Sequence, residues 1–108
     1  IAGGVNIYPA ETEGVLLQHP KVADAAVFGI PDDDAGEQIK ATVQLAEGVE
    51  PSPELAQELV QFCMDNLAKY KVPRSIDFLE DFPRTATGKL LKRKLRDPYW
   101  AGRTSQLV

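Results

Sequence analysis

Cysteine and histidine are nearly absent from this chain: Cys63 and His19 are the only ones in 108 residues. A lone cysteine excludes an internal disulfide and any cysteine-based metal site. With the two residues far apart in sequence, a Cys–His nucleophile pair has little support either. Cys63 falls among apolar neighbours of a helix-like stretch, where a thiol serves as a small buried hydrophobe. His19 precedes Pro20 and reads as a capping or surface residue rather than a ligand. No apolar run approaches the roughly 18 residues of a membrane span, and no secretory leader is visible. Internal repeats and low-complexity segments are missing too. What is present, 44% hydrophobic and 26% charged residues, is the composition of an ordinary globular domain. Its length suits one domain burying about 60–70% of its unfolded surface. The opening Ile1-Ala2-Gly3-Gly4 lacks a methionine and points to a piece of a longer protein, and cytoplasmic residence fits the low cysteine content.

The net charge of −4 hides an asymmetry. Residues 1–83 hold five Lys and Arg against fifteen Asp and Glu, a balance of −10, and residues 84–108 hold seven against one, a balance of +6. Positive charge therefore gathers where it can steer anions. The acidity of the whole argues against a general nucleic-acid binder.

Patterning predicts the elements in turn. Gly3 to Tyr8 is a short extended lead. Pro9 suits the first position of a helix, with Glu11 and Glu13 favoured by the helix dipole and Val15, Leu16 and Leu17 as its buried face. That helix ends near Gln18-His19-Pro20. Val22–Ile30 is an apolar strand buried on both faces at least in part. Asp32, Asp33 and Asp34 lie in a turn-rich acidic loop lacking the spaced ligands of an EF-hand, so a solvated loop is the reading. Gln38–Ala46 alternates, with Ile39, Ala41, Val43 and Leu45 on one face and Lys40, Thr42 and Gln44 on the other. Ser52 caps and Pro53 opens the longest helix. Its apolar stripe is Leu55, Leu59, Phe62, Cys63, Leu67 and Tyr70, and Lys69 and Lys71 close it. Ser75–Leu79 is a third strand. Leu90, Leu91 and Leu95 space a short amphipathic helix. The expected fold is α+β: a small, mainly antiparallel three-stranded sheet packed with helices and preceded by a short extended or hairpin segment. Residues 1–101 form the domain and 102–108 a flexible tail.

Between the third strand and the basic run lies Pro83-Arg84-Thr85-Ala86-Thr87-Gly88-Lys89. Two hydroxyls, a glycine that lets backbone approach a ligand, and a lysine with three donors on a mobile stem suit phosphate or carboxylate oxygens. A plain surface turn followed by a solvated basic helix is the competing reading. A nucleic-acid-binding module over residues 84–96 is a third, weakened because Tyr99 and Trp100 lie outside the basic run.

Several motifs in order resemble one family. Gly3-Gly4-Val5-Asn6-Ile7-Tyr8-Pro9-Ala10-Glu11 with His19-Pro20-x-Val22, Gly29-x-Pro31-Asp32, Gly36-Glu37, Tyr70-Lys71-x-Pro73 and Pro83-Arg84-Thr85-x-Thr87-Gly88-Lys89 look like the small C-terminal lid domain of adenylate-forming enzymes. That superfamily holds acyl-CoA synthetases, adenylation domains and luciferases, and the matches run from residue 1 to about Arg96. The resemblance implies a two-step ligase: carboxylate and ATP form an acyl-adenylate and pyrophosphate, then coenzyme A displaces AMP. Most of the ATP and acyl pocket would belong to a large N-terminal domain, which would also hold Mg2+ with the ATP. The small domain would present a different face in each half-reaction. Lys89 matches the adenylation lysine, Gly3 and Gly4 the thioester-forming loop, and Asn6 lies where it would approach the adenylate. Arg84, Thr85, Thr87 and Gly88 would shape the lysine loop. No metal ligand, nucleic-acid partner or transmembrane segment is implied, and the enzyme would be cytoplasmic, with peripheral membrane contact open to the full-length protein. Thr85-Ala86-Thr87-Gly88-Lys89-Leu90-Leu91 is more similar to fatty- or aryl-acid CoA ligases than to enzymes that load carrier proteins, the alternative. The isolated fragment would be inactive.

Overall fold

The computed structural model describes residues 8–34 and 36–101. The expected extended or hairpin lead, with Gly3, Gly4 and Asn6, and the tail 102–108 lie outside the described residues. The order is α1 (Pro9–Leu17), β1 (Val22–Asp32), β2 (Gly36–Leu45), α2 (Pro53–Asn66), a 3-10 turn (Lys69–Lys71), β3 (Ser75–Phe78) and α3 (Lys92–Trp100). The α+β class with three strands and flanking helices is as expected. The sheet, ordered β1-β2-β3, is mixed: β1 and β2 form an antiparallel hairpin with Val27 opposite Ala41, while β3 runs parallel to β2 with Ile76 beside Ala41. The third strand is parallel because α2 lies between it and β2, and a helical crossover returns the chain to the end where β2 began.

Both faces of β1 are covered, which is why its sequence is apolar without alternation. Ala25 and Val27 join Ile39, Ala41, Val43 and Ile76 beneath Leu16 of α1 and Leu55, Leu59 and Cys63 of α2. Ala26, Phe28 and Ile30 point the other way and meet Phe82, with Leu90 and Leu95 packed against them.

Helix α2 starts as expected, the Ser52 hydroxyl accepting the Leu55 N–H at 3.0 Å ahead of Pro53. It ends earlier than expected, at Asn66, whose side-chain amide donates to the Phe62 carbonyl at 2.8 Å, and Leu67 is extended. Such a local side-chain bond competes with further helix. Lys69 and Lys71 therefore do not close α2, and Tyr70, 55% exposed, leaves its stripe. Leu17 is exposed where burial was expected. Leu16 and Val15 face the core, and Leu17, about 100° further round the helix, falls beyond it.

His19 is the larger correction. It is buried at 7% exposure, edge-on to Phe62, neither a surface group nor a helix cap. Its Nδ1 accepts the Lys21 N–H at 3.1 Å, which leaves the proton on Nε2 to donate to Glu58 at 2.9 Å. Burial here is tolerated because both ring nitrogens are partnered.

On the second face, Lys40 is buried beneath the end of α3. Its ammonium pairs with Asp77 at 2.9 Å and donates to Ser75 Oγ at 3.0 Å, while the Tyr99 hydroxyl donates to Asp77 at 2.7 Å. Burial pushes the Asp77 carboxyl up, but the hydrogen bonds from Lys40 and Tyr99 outweigh it and leave the group below its ordinary range. Burial and the Asp77 charge push the Tyr99 hydroxyl up to about 12.

Candidate active site

The Pro83–Leu91 segment folds into a tight hairpin. The Leu91 N–H donates to the Pro83 carbonyl at 2.9 Å and Arg84 pairs with Leu90 across it. At the tip the Gly88 N–H donates to the Thr85 carbonyl at 2.9 Å and the Thr85 N–H to the Lys89 carbonyl at 2.8 Å. A turn followed by one bulged residue of this kind needs positive φ at that residue, and Gly88 supplies it at 91°. The Thr85 hydroxyl accepts the Lys89 N–H at 3.1 Å and lies 3.0 Å from the Thr87 hydroxyl. Arg84 Nη1 donates to the Gly88 carbonyl at 3.1 Å. Arg84, Thr85, Thr87, Gly88 and Lys89 thus come together, with the two hydroxyls engaged inside the loop and the lysine backbone held on both sides.

The Lys89 side chain takes no part in these bonds. It is exposed, and its ammonium has no hydrogen-bond or ion-pair partner among the described residues. The neighbouring Lys92 differs, pairing with Glu13 at 2.5 Å. Arg93 and Lys94 are exposed beside it, so the tip carries excess positive charge that favours an anionic ligand.

Two acidic residues tie this region to β1: Asp24, which sequence reading did not single out, and Glu13, read there only as favoured by the helix dipole. As an edge strand, β1 has outward backbone groups needing partners. Asp24 Oδ1 accepts the Ala25 N–H at 2.8 Å, Glu13 accepts the Val27 N–H at 2.7 Å, and the Trp100 indole donates to the Gly29 carbonyl at 2.9 Å. The other Asp24 oxygen pairs with Arg84. The signal was there: an aspartate inside the apolar run Val22–Ile30 is out of place unless partnered.

A different cluster occupies the far end of β1, eight residues and about 26 Å from Asp24. There Arg74 pairs with Asp32 at 3.0 Å, and three residues earlier Lys71 pairs with Glu11 at 2.6 Å. The Lys71 ammonium stands 5.0 Å from the Tyr8 ring and 5.4 Å from the Tyr70 ring. The Glu11 hydrogen bond raises its pKa. Thr12 is buried and donates to the Lys71 carbonyl at 2.9 Å. Gly29 is required for close approach: a Cβ there would stand 2.0 Å from Glu37 Oε2. A groove of about 930 Å³ at the Ala46–Pro51 loop is lined by none of the Lys89 hairpin residues. Among the described residues no group of three or more His, Cys, Asp or Glu side chains could hold a metal ion.

Residues 11–89 match the AMP-binding enzyme C-terminal domain family. The chain belongs to that family. Lys89 is the last residue of the match. The chain is 44% identical over 100 residues to a fatty acid–acyl-carrier-protein ligase of Streptomyces coeruleorubidus, covering 93% of this chain and 19% of that protein. It is 47% identical over 97 residues to a mitochondrial medium-chain acyl-CoA ligase of Danio rerio, covering 90% and 16%. It superposes on the acyl-CoA synthetase of Brucella canis with a TM-score of 0.87 at 40% identity, over 95% of this chain and 19% of that one. The chain thus spans about a fifth or less of each of these proteins. As a member of the AMP-binding enzyme C-terminal domain family, it holds the hairpin that carries Lys89 beside the β1 edge of a small mixed sheet. Among the described residues no helix is long and apolar enough to cross a membrane.

Proposed function

We propose that this chain is the lid of an ATP-dependent acyl-CoA synthetase and that Lys89 serves its first half-reaction. One observation carries the reading: Lys89 is held by its backbone hydrogen bonds at an exposed hairpin tip while its ammonium has no partner among the described residues. In adenylation a carboxylate oxygen attacks the α-phosphorus of ATP and the bond to the pyrophosphate oxygen breaks. Charge shifts among those oxygens, and a preplaced cation stabilises it without reorganisation. The Arg84, Thr85, Thr87 and Gly88 bonds supply that preplacement. In the second half-reaction the sulfur of coenzyme A attacks the acyl carbonyl carbon and AMP leaves. Gly3 and Gly4 are assigned to the loop that admits the thiol arm, and Asn6 to the vicinity of the adenylate. ATP, the carboxylic acid and coenzyme A are the substrates, shared with a large N-terminal domain to which residues 1–101 would form the lid, with 102–108 as a tail. Mg2+ bound with ATP would be held by that domain. Cytoplasmic residence belongs to the same reading.

The test uses the full-length enzyme. Lys89→Ala lowers acyl-adenylate formation by roughly 10²–10³ and leaves transfer from a supplied acyl-adenylate to coenzyme A intact. Equal loss in both half-reactions overturns the assignment. Added bulk at Gly4 has the converse effect, slowing thioester formation more than adenylation.

The second reading is an enzyme that loads a carrier protein, favoured by the likeness to a fatty acid–acyl-carrier-protein ligase. Comparing free coenzyme A with a pantetheinylated carrier protein as acceptor separates the two.

A further inference from the structure

The peptide unit that presents Lys89 is held by a side chain from another element. The Asp24 carboxylate divides its oxygens: Oδ1 accepts the Ala25 N–H at 2.8 Å, and Oδ2 accepts from Arg84 Nη2. The other arm of the same guanidinium, Nη1, donates at 3.1 Å to the carbonyl of Gly88, the residue immediately before Lys89. An acid fixed on the edge of β1 is thereby connected through one planar, rigid group to the Gly88–Lys89 peptide. Asp24 and Arg84 are 60 residues apart, and both stay partly exposed, with side chains 27% and 37% accessible. Ion pairs that wet add little to stability. What this one adds is direction, because a guanidinium fork bonded on two sides leaves the Gly88 carbonyl one orientation.

We infer that Asp24 is a positioning residue for adenylation: through Arg84 it sets the direction in which Lys89 leaves the hairpin and hence the reach of its ammonium. The inference rests on the assignment of Lys89 above. At the exit of the hairpin Glu13 makes a parallel link, accepting the Val27 N–H at 2.7 Å and pairing with Lys92 at 2.5 Å. Both feet of the loop are therefore tied to the same strand, and the lysine moves with β1 rather than with α3 alone.

The decisive variant is Asp24→Asn in the full-length ligase. The amide keeps an oxygen for the Ala25 N–H and loses the charge that orients Arg84. Acyl-adenylate formation, read by ATP–pyrophosphate exchange, falls about tenfold in kcat, less than the 10²-fold that a misplacement of about 1 Å costs. KM for ATP, the melting temperature and thioester formation from a supplied acyl-adenylate stay as in the parent enzyme. Asp24→Glu recovers part of the loss. Arg84→Gln reproduces it, and the double variant loses no more than either single one, as members of one relay do. Two results overturn the inference: adenylation unchanged in Asp24→Asn, or both half-reactions falling together with the melting temperature. Failure of the Lys89 assignment looks different, since Lys89→Ala would then leave adenylation intact. Loss in Lys89→Ala with a neutral Asp24→Asn sinks the Asp24 role alone.

Discussion

The two faces of the sheet are closed by different chemistry. Against α1 and α2 the layer is apolar, and Leu16, Val27, Ala41, Val43, Leu59 and Cys63 are completely buried in it. Against α3 and the hairpin the apolar contact shrinks to Ala26, Phe28, Ile30 and Phe82. Lys40, Asp77 and Tyr99, with the Trp100 indole on the Gly29 carbonyl, fasten the rest of that layer. Apolar burial is strong and non-directional, whereas hydrogen bonds and ion pairs are individually modest but fix orientation. The first face holds the domain together. The second holds a loop at an angle.

The sharpest way to break that division is Leu59→Ala, on the apolar face. A cavity there costs about 2–5 kcal/mol, measured by chemical denaturation, and both half-reactions of the full enzyme fall in parallel with the folded fraction. A loss confined to adenylation would mean the two faces are not separable. Gly88→Ala comes next. No atom lies within 4 Å of the added Cβ, so the cost is the positive φ alone, about 1–2 kcal/mol. Its effect on adenylation exceeds its effect on thioester formation, because the strain is released at the Lys89 peptide.

Smaller is Tyr99→Phe, worth about 0.5 kcal/mol, the low end for a hydrogen bond since the ring is partly exposed. Its pH signature is more telling. The folded state holds the Tyr99 proton up to about 12 against an ordinary 10.0. Between those values the folded form binds more protons than the unfolded one, so stability present below pH 10 is lost as pH rises through about 12. Tyr99→Phe flattens that alkaline fall. At the acid end the lowered Asp77 pKa contributes stability above the ordinary carboxylate range that is lost as pH drops through the folded value. Both show in melting temperature against pH. The smallest effect is no effect: burial pushes the Cys63 thiol up to about 11, so thiol reagents near neutral pH label it only at the rate of unfolding. Labelling faster than unfolding would show the apolar face to be looser than its packing implies.

Much of the fold was legible because its rules are local. Ser52 followed by Pro53 starts a helix by hydrogen bonding and fixed φ. The alternation of Ile39, Ala41 and Val43 places one face of β2 on the core, and the largely apolar run Val22–Ile30 announces two covered faces. The errors fall where neighbours distant in sequence decide. Glu58, 39 residues away, makes the burial of His19 tolerable. The parallel β3 follows from where α2 sets the chain down. The early end of α2 is the exception, a local competing bond from Asn66 to Phe62 that no stripe of apolar residues reveals.

The sequence by itself determined the hairpin that carries Lys89, since Gly88 is the residue that takes positive φ at no cost, and it determined the inertness of Cys63 by surrounding it with apolar residues. Tertiary structure decided which lysines are taken. Lys40, Lys71 and Lys92 match Lys89 in chemistry, yet each is taken by a carboxylate 37, 60 or 79 residues away, while Lys89 has no such partner among the described residues. Ion pairing needs an approach of about 3 Å, and only the folded chain brings residues so far apart to that distance.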